Sequence, residues 1–305
     1  MTRVPMKCRV CRGPAVIDLK RHNANFCREH FVAYCEEQVR RAIHHFRMLE
    51  PGERVLVAVS GGKDSLACWD LLVRLGYAVE GFYLGLGIDT YSDDSLAAAT
   101  RFADARGLTL HVVDLETTHG FTIPVAAGAT HRSPCGACGL SKRHEFNRVA
   151  RDLGFGVLAT GHNLDDEAAV LLGNVLRWET DYLARQHPCL PAEGGFVRKI
   201  KPLYRLGERE MAAYCILEGI DYQVDECPMA AGNRHIGFKE TLNDLERRSP
   251  GSKAAFLFGF LDRMAPLLAQ ADGPGDAEVH ACAGCGEPTT GDVCAFCRLR
   301  DKARA

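Results

Sequence analysis

The run Arg54-Val-Leu-Val-Ala-Val59 leads without a break into Ser60-Gly-Gly-Lys-Asp-Ser65. A continuous apolar stretch of this length suits a central strand covered on both faces, the environment of a parallel sheet. The paired glycines, Gly61 and Gly62, let the chain turn tightly and bring its backbone close to an anion. A helix opening there offers free N–H groups and a positive dipole end to phosphate. Lys63 and the hydroxyls of Ser60 and Ser65 add donors. The spacing is not GxxxxGK[ST], so the loop is not of the Walker type. The plainer alternative is a glycine-rich turn with no ligand.

From this point strand-like and helix-like segments alternate. Strands fit near 55–59, 79–86, 109–114, 156–160 and 197–202, and helices near 64–75, 93–106, 138–153, 164–178 and 208–218. Such alternation implies βαβ units with right-handed crossovers, and hence an α/β fold with a doubly wound parallel sheet. Ligands in such folds sit beyond the carboxyl ends of the strands. A helix over 31–49 precedes this region and is broken by Pro51-Gly52. A further helix is expected over 253–268 and a linker over 271–276. The expected division is an N-terminal module over 1–48, a nucleotide-binding core over 49–270 and a C-terminal module over 271–305.

A second motif, Thr160-Gly-His-Asn-Leu-Asp-Asp-Glu167, closes the fourth strand at the same sheet edge. Asp165 and Asp166 fall in the first turn of the following helix. They either complement its dipole or hold Mg²⁺, a hard cation that prefers carboxylate oxygen and water.

The chain has 14 cysteines, mostly in pairs two residues apart. In a cytosolic protein of this size such pairs point to metal rather than to disulfides. Cys8 and Cys11 with Cys27 and His30 make four zinc-type ligands, and Cys282 and Cys285 with Cys294 and Cys297 make four more. Two Zn²⁺ ions would stabilise segments too short to build cores of their own. These modules serve either as structural clips or as RNA contacts. Arg9, Arg12, Lys20, Arg21 and Arg28 make the first one basic, which tilts it towards phosphate. Cys135 and Cys138 stand apart, with Cys227 available as a third ligand. Three thiolates leave one metal position open. A [4Fe–4S] cluster with a free iron, a redox pair carrying a persulfide and a zinc site completed by histidine are the competing readings. Cys35, Cys68, Cys189 and Cys215 read as small core or surface residues.

A net charge of −2 supplies no global field for nucleic acid, so any RNA contact must come from local basic patches. No apolar run is long enough to span a membrane, and the first residues lack the pattern of a secretory signal. A cytoplasmic protein is expected.

The loop Ser60–Ser65 resembles the PP-loop of the N-type ATP pyrophosphatases, which cleave ATP between the α and β phosphates. Taken with Cys135-Gly-Ala-Cys-Gly-Leu-Ser-Lys-Arg143, Gly161-His-Asn-Leu-Asp-Asp-Glu-Ala168, Leu172-Gly-Asn-Val-Leu-Arg-Trp178, Lys201-Pro-Leu-Tyr-Arg205 and Glu226-Cys-Pro228, the chain is similar to the TtuA group of tRNA 2-thiouridine synthetases, relatives of TtcA. The resemblance implies ATP and Mg²⁺ at Ser60, Gly61, Gly62, Lys63, Asp64, Ser65, Gly161, Asp165 and Asp166. It implies a [4Fe–4S] cluster on Cys135, Cys138 and Cys227, with Asp64, Lys142 and Asp166 catalytic or in contact with ATP and the base. The implied reaction is adenylation at C2 of a uridine-type base, ribothymidine at tRNA position 54, followed by exchange of its oxygen for sulfur. The implied partners are tRNA, a ubiquitin-like thiocarboxylate carrier or free sulfide, and a second copy in a homodimer. The alternatives are thiolation of the wobble uridine, and a non-enzymatic zinc-ribbon RNA-binding protein.

Overall fold

The computed structural model describes residues 6–230, 232, 234–271 and 278–305. A hairpin of β1 (Ile17–Leu19) and β2 (Ala24–Phe26) precedes α1 (Arg28–His45). β3 (Arg54–Val59) then runs through the glycine loop into α2 (Lys63–Arg74). β4 (Ala78–Gly85), α3 (Asp89–Arg106), β5 (Leu110–Asp114), α4 (Leu115–His119), α5 (Ile123–Ala129) and α6 (Pro134–Asp152) follow. β6 (Val157–Thr160) leads to α7 (Leu164–Arg177), α8 (Thr180–Ala184), β7 (Cys189–Leu190) and β8 (Arg198–Ile200). The chain continues through α9 (Glu208–Glu218), α10 (Arg234–Arg248), α11 (Ser252–Gly259) and α12 (Ala265–Ala271), the last two joined by a π turn over Phe260–Met264. β9 (His280–Ala281), β10 (Pro288–Thr289) and α13 (Ala295–Arg304) complete it. The linker expected over 271–276 lies outside the described residues, Ala271 apart. No helix of the described residues is long and apolar enough to cross a membrane.

The main sheet has the order β5-β4-β3-β6-β8-β7, parallel except for β7. The chain steps outward from β3 to β5 and then returns to the other side of β3 as β6. That reversal opens a crevice beyond the carboxyl ends of β3 and β6, where both motifs lie. Alternation along β3 feeds two cores. Val55, Val57 and Val59 face one, and Leu56 and Ala58 face the other. The N-terminal hairpin adds Ile17, Leu19 and Phe26 to the first, while Cys282, Phe296 and Leu299 join the second. The terminal modules therefore cover opposite faces of one sheet.

The expected helices are present, with one informative shift. α6 begins at Pro134 rather than at 138. Pro134 is preset for the first helical position, and Ser133 caps the helix by accepting from Gly136 N–H at 3.2 Å. Cys135 and Cys138 are thereby drawn into its first turns. Sequence periodicity missed α10, whose only buried residue is Leu242, and the two-residue edge strand β7.

Candidate active site and metal centres

The phosphate loop is fixed by its own hydroxyls. Ser60 N–H donates to Ser65 Oγ at 3.1 Å, and Ser65 Oγ donates to Gly62 O at 2.9 Å. Gly61 adopts φ +74°, and a Cβ there would stand 2.2 Å from the Ser95 carbonyl oxygen. Only glycine fits. The second motif packs directly on this loop, because a Cβ on Gly161 would fall 2.8 Å from the Asp64 backbone. Asn163 ties the two together: Nδ2 donates to Asp64 Oδ1 at 3.0 Å, while Oδ1 accepts from the N–H groups of Asp165 and Asp166. Asp166 returns a bond to Asn163 N–H at 3.0 Å, completing a capping box on α7.

Between the motifs lies a cavity of about 330 Å³, within the range of small-ligand sites. Ser60, Asp64, Ser65, Lys142, Gly161, His162 and Asp166 all line it. Burial raises the Asp64 pKa and nearby Asp166 adds to this, while Lys63 and Asn163 pull it down; the net shift is upward. His162 is held below the ordinary histidine value by burial and by Lys201. The cavity therefore offers two clustered carboxylates, an ammonium and an imidazole. Asp165 stands aside from this wall. Its Oδ2 accepts from Glu208 N–H at 2.9 Å, and its Oδ1 pairs with buried Lys253.

Two participants escaped the motif reading. Lys63 Nζ lies 3.1 Å from Asp64 and 2.8 Å from Glu208, and the other oxygen of Glu208 is 3.3 Å from Lys239. Lys239 closes on Asp166 at 2.6 Å. Burial disfavours both ammonium groups, yet their carboxylate neighbours hold both pKa values above normal. In the sequence, Glu208 is only an acid in the first turn of a helix and Lys239 only a charge on a polar one.

The terminal quartets fit a tetrahedral ion. Metal–sulfur bonds of about 2.3 Å give ligand–ligand edges of about 3.8 Å. Four edges lie close to this, 3.8 Å for Cys11–Cys27, 3.7 Å for Cys8–His30, 3.9 Å for Cys282–Cys297 and 3.7 Å for Cys285–Cys294, while Cys27–His30 is shorter at 3.0 Å. Burial would push the Cys282 thiol up, but backbone N–H groups of Cys294 and Gly284 help bring it down to about 6, while burial pushes its neighbours Cys285 and Cys297 up. Not all of the basic first module faces outward. Arg21, read as part of a tRNA-facing surface, is buried in a bidentate pair with Glu210 at 3.0 and 2.7 Å.

Cys135 and Cys138 belong to the start of α6, and the turn Pro228–Ala230 packs against that helix. Cys135 Sγ lies 3.9 Å from Met229 O, and Cys138 and Cys227 border the same apolar cluster. Burial raises the Tyr91 pKa, with Cys227 and Cys138 adding to the rise. Cys138 and Cys227 thus lie near Tyr91, which lines the cavity, and Cys135 lies against the turn that follows Cys227. None of the cysteines is in a disulfide. Among the described residues only the terminal quartets are close enough to share one ion. The central thiols supply the donor type that iron–sulfur clusters take.

Residues 7–32 match the N-terminal LIM domain of 2-thiouridine synthetase TtuA, and residues 35–232 match the PP-loop domain. The chain is 50% identical to a tRNA-5-methyluridine(54) 2-sulfurtransferase of Thermus thermophilus over 97% of its own length and 91% of the relative's. It is 42% identical to a protein of the same description from Pyrococcus horikoshii, over 96% and 93%. The U34-tRNA thiolase NcsA from Methanococcus maripaludis, solved with its [4Fe–4S] cluster, superposes with a TM-score of 0.81 at 27% identity, covering 98% of this chain and 96% of that one. With both signature loops at one cavity and metal-type quartets on either face, the chain belongs to the TtuA family of PP-loop proteins.

Proposed function

We propose that the chain is an ATP-dependent tRNA sulfurtransferase that replaces the C2 oxygen of ribothymidine at position 54 with sulfur. The observation that carries this is the convergence of Asp64, Lys142 and Asp166 on one cavity beside Cys138 and Cys227. Asp64 and Asp166 would hold Mg²⁺ against the polyphosphate, while Lys63 and the loop N–H groups take the pyrophosphate. The base O2 attacks the α-phosphorus and pyrophosphate leaves, giving an adenylated base. Lys142 offsets negative charge developing at the reacting phosphate. Hydrosulfide then adds at C2, AMP leaves with the former base oxygen, and a proton is released. Cys135, Cys138 and Cys227 would hold a [4Fe–4S] cluster, which would supply a binding site for sulfide. The sulfur comes as free sulfide, or from a ubiquitin-like thiocarboxylate carrier whose C–S bond is broken by water, releasing hydrosulfide and leaving a carboxylate.

Mass spectrometry of nucleosides from tRNA incubated anaerobically with reconstituted protein, ATP and sulfide tests the reading. The expected product is 2-thioribothymidine, with AMP formed in proportion. 2-Thiouridine at the wobble position instead would move the target to that of NcsA, and absence of AMP would remove adenylation. Lys63→Ala and Asp64→Ala are expected to abolish the product while the iron chromophore persists.

A further inference from the structure

α6 is gripped on both sides. Lys142, on the helix, lines the cavity, whereas His144 stands about 200° further round at 3.6 residues per turn. His144 therefore faces away from the cavity, into the C-terminal module. Its Nε2 lies 3.4 Å from Cys285 Sγ, one of the four metal-type ligands, and its Nδ1 lies 2.8 Å from Glu145 Oε1. Glu145 is fully buried and is also bonded to His119 Nε2 at 2.9 Å. The His144 ring is stacked as well as bonded, lying on Phe296 with centroids 3.8 Å apart and planes 12° from parallel. Further along the same face of α6, Asn147 and Arg151 bind the module's buried Glu287 at 2.8 and 2.9 Å.

A ligand sulfur held by a buried ring, itself held by a buried carboxylate, has the form of an outer-shell support for a metal ligand. We propose that His144 is a positioning residue: it holds Cys285 in place and, through it, couples metal loading of the C-terminal module to the seating of the helix that carries Cys135, Cys138 and Lys142. The link from helix to cluster rests on the function proposed above; the link from His144 to the metal does not. The module then acts as a backing plate for the catalytic helix.

The test uses the full-length protein carrying both zinc ions. Zinc release to a chromogenic chelator is followed in wild type, His144→Leu and His144→Gln. One of the two zinc ions should leave His144→Leu about tenfold to a hundredfold faster, with the other unchanged, and His144→Gln, which keeps an N–H donor, should recover part of the loss. Identical release from wild type and His144→Leu overturns the proposal. Should His144→Leu not fold, Cys294→Ser, which removes a zinc-type ligand other than the one bonded to His144, takes its place. Hydrogen exchange over residues 134–152 should then rise relative to wild type, and unchanged exchange overturns the coupling. Neither readout needs ATP, tRNA or the cluster, so failure here is separable from failure of the proposed reaction.

Discussion

Lys239 is paired at 2.6 Å to Asp166, which lines the cavity, although the two stand 73 positions apart in the chain. The pair ends a line of alternating charges that runs Asp64, Lys63, Glu208, Lys239, Asp166. Three carboxylates face two ammonium groups there, an excess of negative charge that suits a polyanion arriving with a divalent cation.

Removing Lys239 would leave three carboxylates facing one ammonium. Lys239→Ala is expected to weaken binding of a non-hydrolysable ATP analogue about tenfold, or 1.4 kcal/mol, and Lys239→Arg to retain most of it. Calorimetric titration in the presence of Mg²⁺ measures both. Wild-type affinity in Lys239→Ala would take the residue out of the site.

The two loop glycines should respond differently to a methyl group. At Gly61 the positive φ alone costs about 1–2 kcal/mol for an alanine, and its Cβ would meet the Ser95 carbonyl at 2.2 Å. At Gly62, with φ −82°, an added Cβ would only touch Ser60 Oγ at 3.5 Å. Gly61→Ala should therefore lower the Tm by several degrees and lose ATP binding, while Gly62→Ala keeps the wild-type Tm. Equal Tm values would contradict the loop geometry.

His22 gives stability a pH dependence of known sign. Burial, then the cations Arg21, Arg205 and Arg9, lower its folded pKa from 6.5 to about 4, and its Nε2 lies 2.9 Å from the Tyr34 hydroxyl. Below 6.5 the unfolded chain gains a proton that the folded chain refuses until about 4. Stability from this group therefore falls as pH drops across that window and is flat on either side. Partial exposure screens the effect. His22→Gln should flatten the slope of Tm against pH between 6.5 and 4; an unaltered slope would mean that another group carries it.

What the sequence made legible was local. The phosphate loop, the acidic second motif and both metal quartets are each written within a few dozen residues, because turn chemistry and ligand spacing are short-range requirements. Pairings set by tertiary packing were hidden. Arg21 looked like one of several basic residues on a small module, and only docking of that module on α9 buries it against Glu210. Lys239 lies on a helix that buries little, so periodicity flagged neither the helix nor its role. The start of α6 was obscured by the glycines at 136 and 139, which weaken helix propensity, although the Ser133-Pro134 cap was present in the sequence.

Cys227 and Cys215 make the decisive comparison for the central thiols. Cys215 is fully buried in α9 with its Sγ 3.4 Å from the Lys63 carbonyl oxygen, and its thiol is pushed up to about 12 by burial, with Asp64 and Asp70 adding. A thiol so far from ionisation behaves as a small apolar side chain. Cys227 is half-buried and opens the turn that rests on α6, beside Cys138 and Tyr91. Cys227→Ala should therefore lose both the visible absorbance of the anaerobically reconstituted cluster and sulfur transfer to tRNA. Its affinity for an ATP analogue should remain near wild type, because the cavity wall does not include it. Cys215→Ala should retain absorbance and transfer alike. If Cys215→Ala bleaches the cluster and Cys227→Ala does not, Cys227 is no ligand and the third thiolate must be sought elsewhere.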